Sequence, residues 1–169
     1  MSRRIRTIVN VVVAVVVLSA IAQAQPQGMS ATEIEAVKKA VIAHIDKYYA
    51  TFVALKPDVL ATEIFHSPWI VIGANGPQAD LTVAQAEQRF ATSMKQLTEN
   101  GWARSQFTIE SVCVLNANAA IASGYNTRYK KDGSVMSVGG TTYILGKSNE
   151  GWRIISYSGS QKGKLVRCD

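Results

Sequence analysis

Residues 103–159 run ARSQFTIESVCVL (103–115), NAN (116–118), AAIASGYNTRY (119–129), KKDGS (130–134), VMSVGGTTYILGK (135–147), SNEG (148–151) and WRIISYSG (152–159). Four stretches rich in β-branched and aromatic residues alternate with three short connections built on Asn, Asp and Gly. Such connections accept the positive-φ geometry of tight hairpins, so the segment predicts four consecutive antiparallel strands.

Upstream, the hydrophobic period lengthens from two to between three and four. Ser30-Ala31-Thr32-Glu33 forms a capping box, and Ile34, Val37, Val41, Ile45, Tyr48 and Phe52 then lie on one face of a helix reaching about Leu55. Lys56-Pro57-Asp58 ends that helix and opens a short second one through Ile64, because proline is well placed in a first helical turn. Phe65 to Ile72 reads as a strand closed by Asn75-Gly76-Pro77. A third helix starts at the capping box Thr82–Gln85, carries Val83, Ala86, Phe90, Met94 and Leu97 as its apolar stripe, and stops at Asn100-Gly101. Three helices and one strand ahead of a meander define an α+β domain with helices packed on a mostly antiparallel sheet.

At the N-terminus, Arg3, Arg4 and Arg6 precede an apolar run from Ile8 to Ala22 that closes on Ala22-Gln23-Ala24. A charged start, a short apolar core and small residues flanking a cleavage point describe a secretory signal, with 1–24 removed after Ala24. The run falls short of the roughly 20 apolar residues of a spanning helix, so no stable membrane anchor is expected after cleavage. Export to a periplasmic or extracellular space follows. The domain then occupies 30–160 and a C-terminal tail 161–169.

The whole chain carries 18 basic and 12 acidic residues. Three of the arginines leave with the signal, so the mature formal charge is +3 rather than +6. The remaining Lys and Arg are scattered and no stripe tracks a phosphate backbone, which argues against nucleic acid as a partner. No P-loop, dinucleotide glycine motif, nucleophile elbow or helical His pair is present, so neither a metal nor a nucleotide cofactor is expected. Cys113 lies in a strand and Cys168 one residue from the end. An exported compartment permits them to pair, while a buried thiol with a mobile one is the alternative.

The element order, the Gly151-x-Trp152-x-Ile154 final strand, and the segments Phe65-His66-Ser67-Pro68, Gly101-Trp102-Ala103-Arg104-Ser105, Arg128-Tyr129-Lys130-Lys131-Asp132-Gly133 and Thr142-Tyr143-Ile144-Leu145 resemble the nuclear transport factor 2-like superfamily. The superfamily is also called SnoaL-like or cystatin-like. Within it, these segments are similar to a bacterial subfamily of unestablished function. The resemblance implies a strongly bent sheet closing with the helices into a cone, a largely apolar cavity inside, and frequent homodimerisation. Its members include isomerases, cyclases, dehydratases and non-enzymatic adaptors, so the fold leaves function open.

Candidate site residues come from side-chain chemistry. His66, at the start of a strand, has the near-neutral imidazole of a general acid or base, with a backbone-bonding structural role as the alternative. Arg128 and Tyr143 stand on successive strands and would hold a ligand carboxylate or oxyanion if they point inward; a cross-strand pair of Arg128 with Glu110 is the alternative. Period-two geometry sends Arg128 and Tyr129 to opposite faces and leaves open which one faces the cavity. Trp69 and Trp102 are candidate ligand platforms or core, and Trp152 is core. His44 borders the first helix's stripe, and Asp58, Glu63 and Asp80 sit where helix-start carboxylates meet solvent or the dipole. The leading expectation is an exported domain that binds a small apolar or amphipathic molecule. A cofactor-free isomerase, dehydratase or cyclase using His66, and a non-enzymatic interaction subunit, are the alternatives.

Overall fold

The computed structural model describes residues 28–168. The signal segment 1–24 lies outside the described residues. Helix α1 spans Ala31–Val53, and its capping box is formed: the Glu33 amide donates to the Ser30 hydroxyl while the Glu33 carboxylate accepts from the Ser30 amide. Helix α2 is the single turn Pro57–Val59, which continues into a π-helical turn, Leu60–Ile64. Helix α3, Val83–Glu99, starts on the Thr82–Gln85 box and ends before Gly101, whose φ of 86° only glycine adopts without strain.

The sheet has six strands: β1 (Phe65–Gly73), β2 (Gly76–Asp80), β3 (Trp102–Asn116), β4 (Ala119–Lys130), β5 (Val135–Ser148) and β6 (Gly151–Ser160). Their order is β2-β1-β6-β5-β4-β3. Strands β3 to β6 form the expected meander, and β1 joins it by pairing parallel to β6. The extra strand β2 corrects the expectation of five. It is an edge strand containing Pro77, the exposed Gln78 and the buried Asp80, so it carries no apolar alternation to read. Register shifts around Glu110 in β3, Met136 in β5 and Ile155 in β6 mark bulges, which sharpen the twist and bend the sheet around the helices.

Helix α1 packs on β3, β4 and β6, and α3 on the π-helical turn and β1 to β3. The core between them mixes aliphatic side chains with a cluster of packed rings. Phe65 lies 4.6 Å from Trp69 and 4.7 Å from Phe90 between centroids, and Trp69 stacks on Phe90 at 5.3 Å and on Tyr157 at 5.6 Å.

Beyond Ser160 the chain folds back over the outer face of the sheet. The Val166 amide donates to the Ser123 hydroxyl at 3.2 Å, and Cys168 is disulfide-bonded to Cys113 on β3. Ser123 faces outward on β4 yet is buried, because the tail covers it. Gly140 on β5 makes the crossing possible, since a β-carbon there would collide with Ser160, Gln161 and Leu165.

Candidate functional site

Alternation along β4 decides the inner wall. Ala120, Ala122, Asn126 and Arg128 share the face turned toward the helices, while Tyr129 turns outward and packs under the Arg104 guanidinium at 3.7 Å. Arg128 is therefore the inward member of the pair that the sequence left open. Two adjoining cavities share Tyr48, Asn126, Arg128 and Tyr157 as a common wall. The larger, about 630 Å³, is bordered by Thr141, Tyr143 and the backbone of Gly139 and Gly159. The smaller, about 60 Å³, lies deeper among Tyr49, Phe52, Trp69 and Phe90.

The polar groups of these walls fall into two sets. Tyr49 and Tyr143 share a hydroxyl–hydroxyl bond of 2.8 Å. Burial, reinforced by the neighbouring phenols, holds Tyr48 and Tyr143 well above the usual phenol range, and burial also raises Tyr157. These tyrosines stay neutral at physiological pH and act as hydroxyl donors or acceptors rather than phenolates. The second set has no partner: Trp69 Nε1, Asn126 Oδ1 and Arg128 Nε are buried and make no hydrogen bond. Arg89, which also borders the smaller cavity, differs from Arg128. Its guanidinium is taken up by Asp80 at 2.5 and 2.9 Å and by Gln78 at 2.8 Å.

No carboxylate or imidazole lines either cavity. His66 is corrected from its expected place. Its ring is exposed, Nδ1 lies 3.1 Å from the Pro68 carbonyl, and it points away from the cavities because Phe65 and Trp69 occupy the inner face of β1. Trp102 is core: it is 3% exposed, its indole N–H donates to Ser105 Oγ at 2.9 Å, and it borders neither cavity. Trp69 and Tyr143 do border the cavities, as does Arg128, whose alternative partner Glu110 sits exposed at a bulge. Tyr48, Asn126 and Tyr157 were missed as site residues. Asn126 was within reach, since it stands two residues before Arg128 on the same strand and so on the same face.

Asp80 and Glu63 are structural, paired with Arg89 and Lys47. His44 is structural too, with Nε2 3.0 Å from the Ile64 carbonyl, and burial lowers its pKa. A histidine held neutral by the fold binds fewer protons than its unfolded counterpart, so stability is full above the unfolded pKa near ~6.5 and falls as pH drops from there toward the folded value. Thermal melts between pH 7.5 and 5.5 are expected to show this loss, and a His44→Gln variant is expected to flatten it. An equally steep wild-type and variant profile would assign the effect elsewhere.

A family model described as NTF2-like protein (DUF6841) matches residues 33–162. The chain belongs to that family. Solved structures share the NTF2-like fold at low identity. An NTF2-like superfamily protein from Salmonella enterica serovar Typhimurium is 22% identical, with a TM-score of 0.58 over 78% of this chain and 94% of its own. A domain of unknown function with a cystatin-like fold from Nostoc punctiforme is 13% identical, with a TM-score of 0.61 over 80% and 81%. An NTF2-like protein with a cystatin-like fold from Novosphingobium aromaticivorans is 11% identical, with a TM-score of 0.61 over 79% and 87%. No functionally curated protein matches the chain. At these identities the likeness is one of NTF2-like fold, and chemistry has to be argued from the cavity walls.

Proposed function

We propose that this NTF2-like domain is an exported binding protein that holds a small amphipathic molecule in its cone. The observation that carries the reading is the composition of the cavity walls. A space of about 630 Å³, within the range of small-molecule sites, is bounded by Tyr48, Tyr143 and Tyr157, by the unpartnered atoms of Asn126 and Arg128, and by glycine, serine and threonine positions of β5 and β6, with no carboxylate or imidazole. Proton-transfer catalysis needs a titrating group within hydrogen-bond reach of substrate, and His66 stands outside. The N-terminal signal pattern and a disulfide between Cys113 and Cys168 support export, since such bonds persist in oxidising compartments. Homodimerisation belongs to the same proposal, supported by Ile70 and Ile144, which flank Ser156 on the outer sheet face and stand at least two-fifths exposed.

Native mass spectrometry of the protein recovered from its own exported compartment tests all three parts. The expected spectrum shows a chain beginning at Gln25, a two-subunit species, and a constant extra mass released on gentle denaturation. A bare mass that stays bare through a panel of amphipathic additives would overturn the binding reading. An unprocessed chain would overturn export, and a monomer at every concentration would overturn dimerisation.

A further inference from the structure

The two cavities carry a charge that nothing answers. Arg128 is a permanent cation, its Nε is buried without a hydrogen-bond partner, and among the described residues no carboxylate lies within ion-pair distance of it. Burying even part of a guanidinium without a partner is unfavourable, and Arg128, half-buried where it lines both cavities, has an open place for an anion. The other arginine in reach, Arg89, already has its carboxylate in Asp80, which leaves one uncompensated positive charge on the shared wall. Around that charge stand two further unpartnered atoms, the acceptor Oδ1 of Asn126 on the same strand face and the Trp69 indole N–H across the smaller cavity.

We infer that the molecule held in the cone is a monocarboxylate with a flat apolar body, and that Arg128 anchors its carboxylate. The inference rests on the binding function proposed above and names its ligand class. A planar carboxylate matches the guanidinium fork, the Trp69 indole N–H can donate a further hydrogen bond to it, and Asn126 Oδ1, an acceptor, suits a hydroxyl or N–H on the body of the ligand. The count of charges selects a monoanion. No lysine and no second free arginine lines either cavity, so a phosphate dianion would arrive with charge left over. The smaller cavity, about 60 Å³, has room for a group of a few heavy atoms, and the larger one takes the body against Tyr48, Tyr143 and Tyr157.

The test compares three probes of one shape, 2-naphthoate, 2-naphthamide and 2-naphthyl phosphate, by calorimetry on the wild-type protein and on Arg128→Gln and Arg128→Lys. A charge-assisted hydrogen bond corresponds to a preference of about 10- to 100-fold for naphthoate over the amide in the wild type. Arg128→Gln is expected to abolish that preference while keeping amide binding, and Arg128→Lys to retain part of it. Phosphate is expected to bind more weakly than naphthoate. Ligand-free melts add a second readout: Arg128 has no protein partner to lose, so Arg128→Gln is expected to melt as the wild type does, whereas a purely structural arginine would make the variant less stable. Equal binding of acid and amide by the wild type, or a preference that survives in Arg128→Gln, overturns this inference alone. Tighter binding of the phosphate overturns the choice of a monocarboxylate. Failure of every probe to bind overturns the ligand class named here, and the binding function falls with it when the native spectrum is bare as well.

Discussion

Phe65→Ala is expected to destabilise the domain by about 3–5 kcal/mol, a large share of the roughly 5–15 kcal/mol that holds a typical domain folded. Phe65 is 2% exposed at the joint where the π-helical turn gives way to β1, and its backbone opposite Ile154 opens the register with β6. Its ring is met by Tyr48 from α1 at 5.3 Å, Trp69 from β1 at 4.6 Å and Phe90 from α3 at 4.7 Å. Those three neighbours belong to three different elements, each fixed by its own packing, so the space left by the ring cannot close by a shift of one of them. Failure to collapse is what takes a core truncation to the upper end of its range. Urea unfolding should show a lower midpoint with an unchanged slope. A loss below about 1.5 kcal/mol would mean that the walls do close, and that the core is softer than its ring contacts suggest.

The second large effect concerns the tail. Cys113 and Cys168 are 55 residues apart, and the chain-entropy account puts the stabilisation from closing a loop of that size at about 4 kcal/mol. Disulfides commonly deliver somewhat less, so Cys113→Ser with Cys168→Ser is expected to cost about 2–4 kcal/mol and to lower Tm by on the order of 10 °C. Reductant acting on the wild type should reproduce the shift, and reductant acting on the double variant should do nothing. Hydrogen exchange gives the local half of the same result. The Val166 amide, bonded to Ser123, should lose protection together with 161–168, while β4 and β5 keep theirs. An unchanged melt would mean that the disulfide orders the tail without constraining the unfolded chain.

How much was legible in the sequence follows from what each residue could signal locally. Strands β3 to β6 were placed to within a residue at most ends, because Asn, Asp and Gly at the turns state their backbone requirements directly. Both capping boxes worked for the same reason. Strand β2 was invisible because an edge strand with a proline buries no apolar side chain, only Asp80 at its end, and the π-helical turn was read as ordinary helix because the hydrogen-bond shift leaves no mark on side-chain type. The site was legible in part. Arg128 and Tyr143 were named from chemistry and do meet the cavity, but His66 was placed there against the parity of its own strand. Phe65 and Trp69 are four residues apart, and once both are core the intervening alternation sends residue 66 outward. Tyr48 was assigned to the packing stripe of α1, whose inner face also carries Tyr49, and a stripe gives no sign of where packing stops and a cavity begins.

The strand order has a consequence for how the molecule is made. The first hairpin, β1–β2, finds its sheet neighbour in β6, with α3 and three strands lying between them in sequence. Before β6 is in place the rings of β1 can meet α1 and α3, but the backbone edge of β1 has no strand to pair with, so the sheet cannot be completed from one end to the other. A chain stopped short of β6 would be left as two unconnected sheet fragments with the apolar faces of both exposed, the state in which chaperones bind and aggregates start. The parallel β1–β6 seam thus makes the arrival of β6 the step that joins the two halves of the sheet.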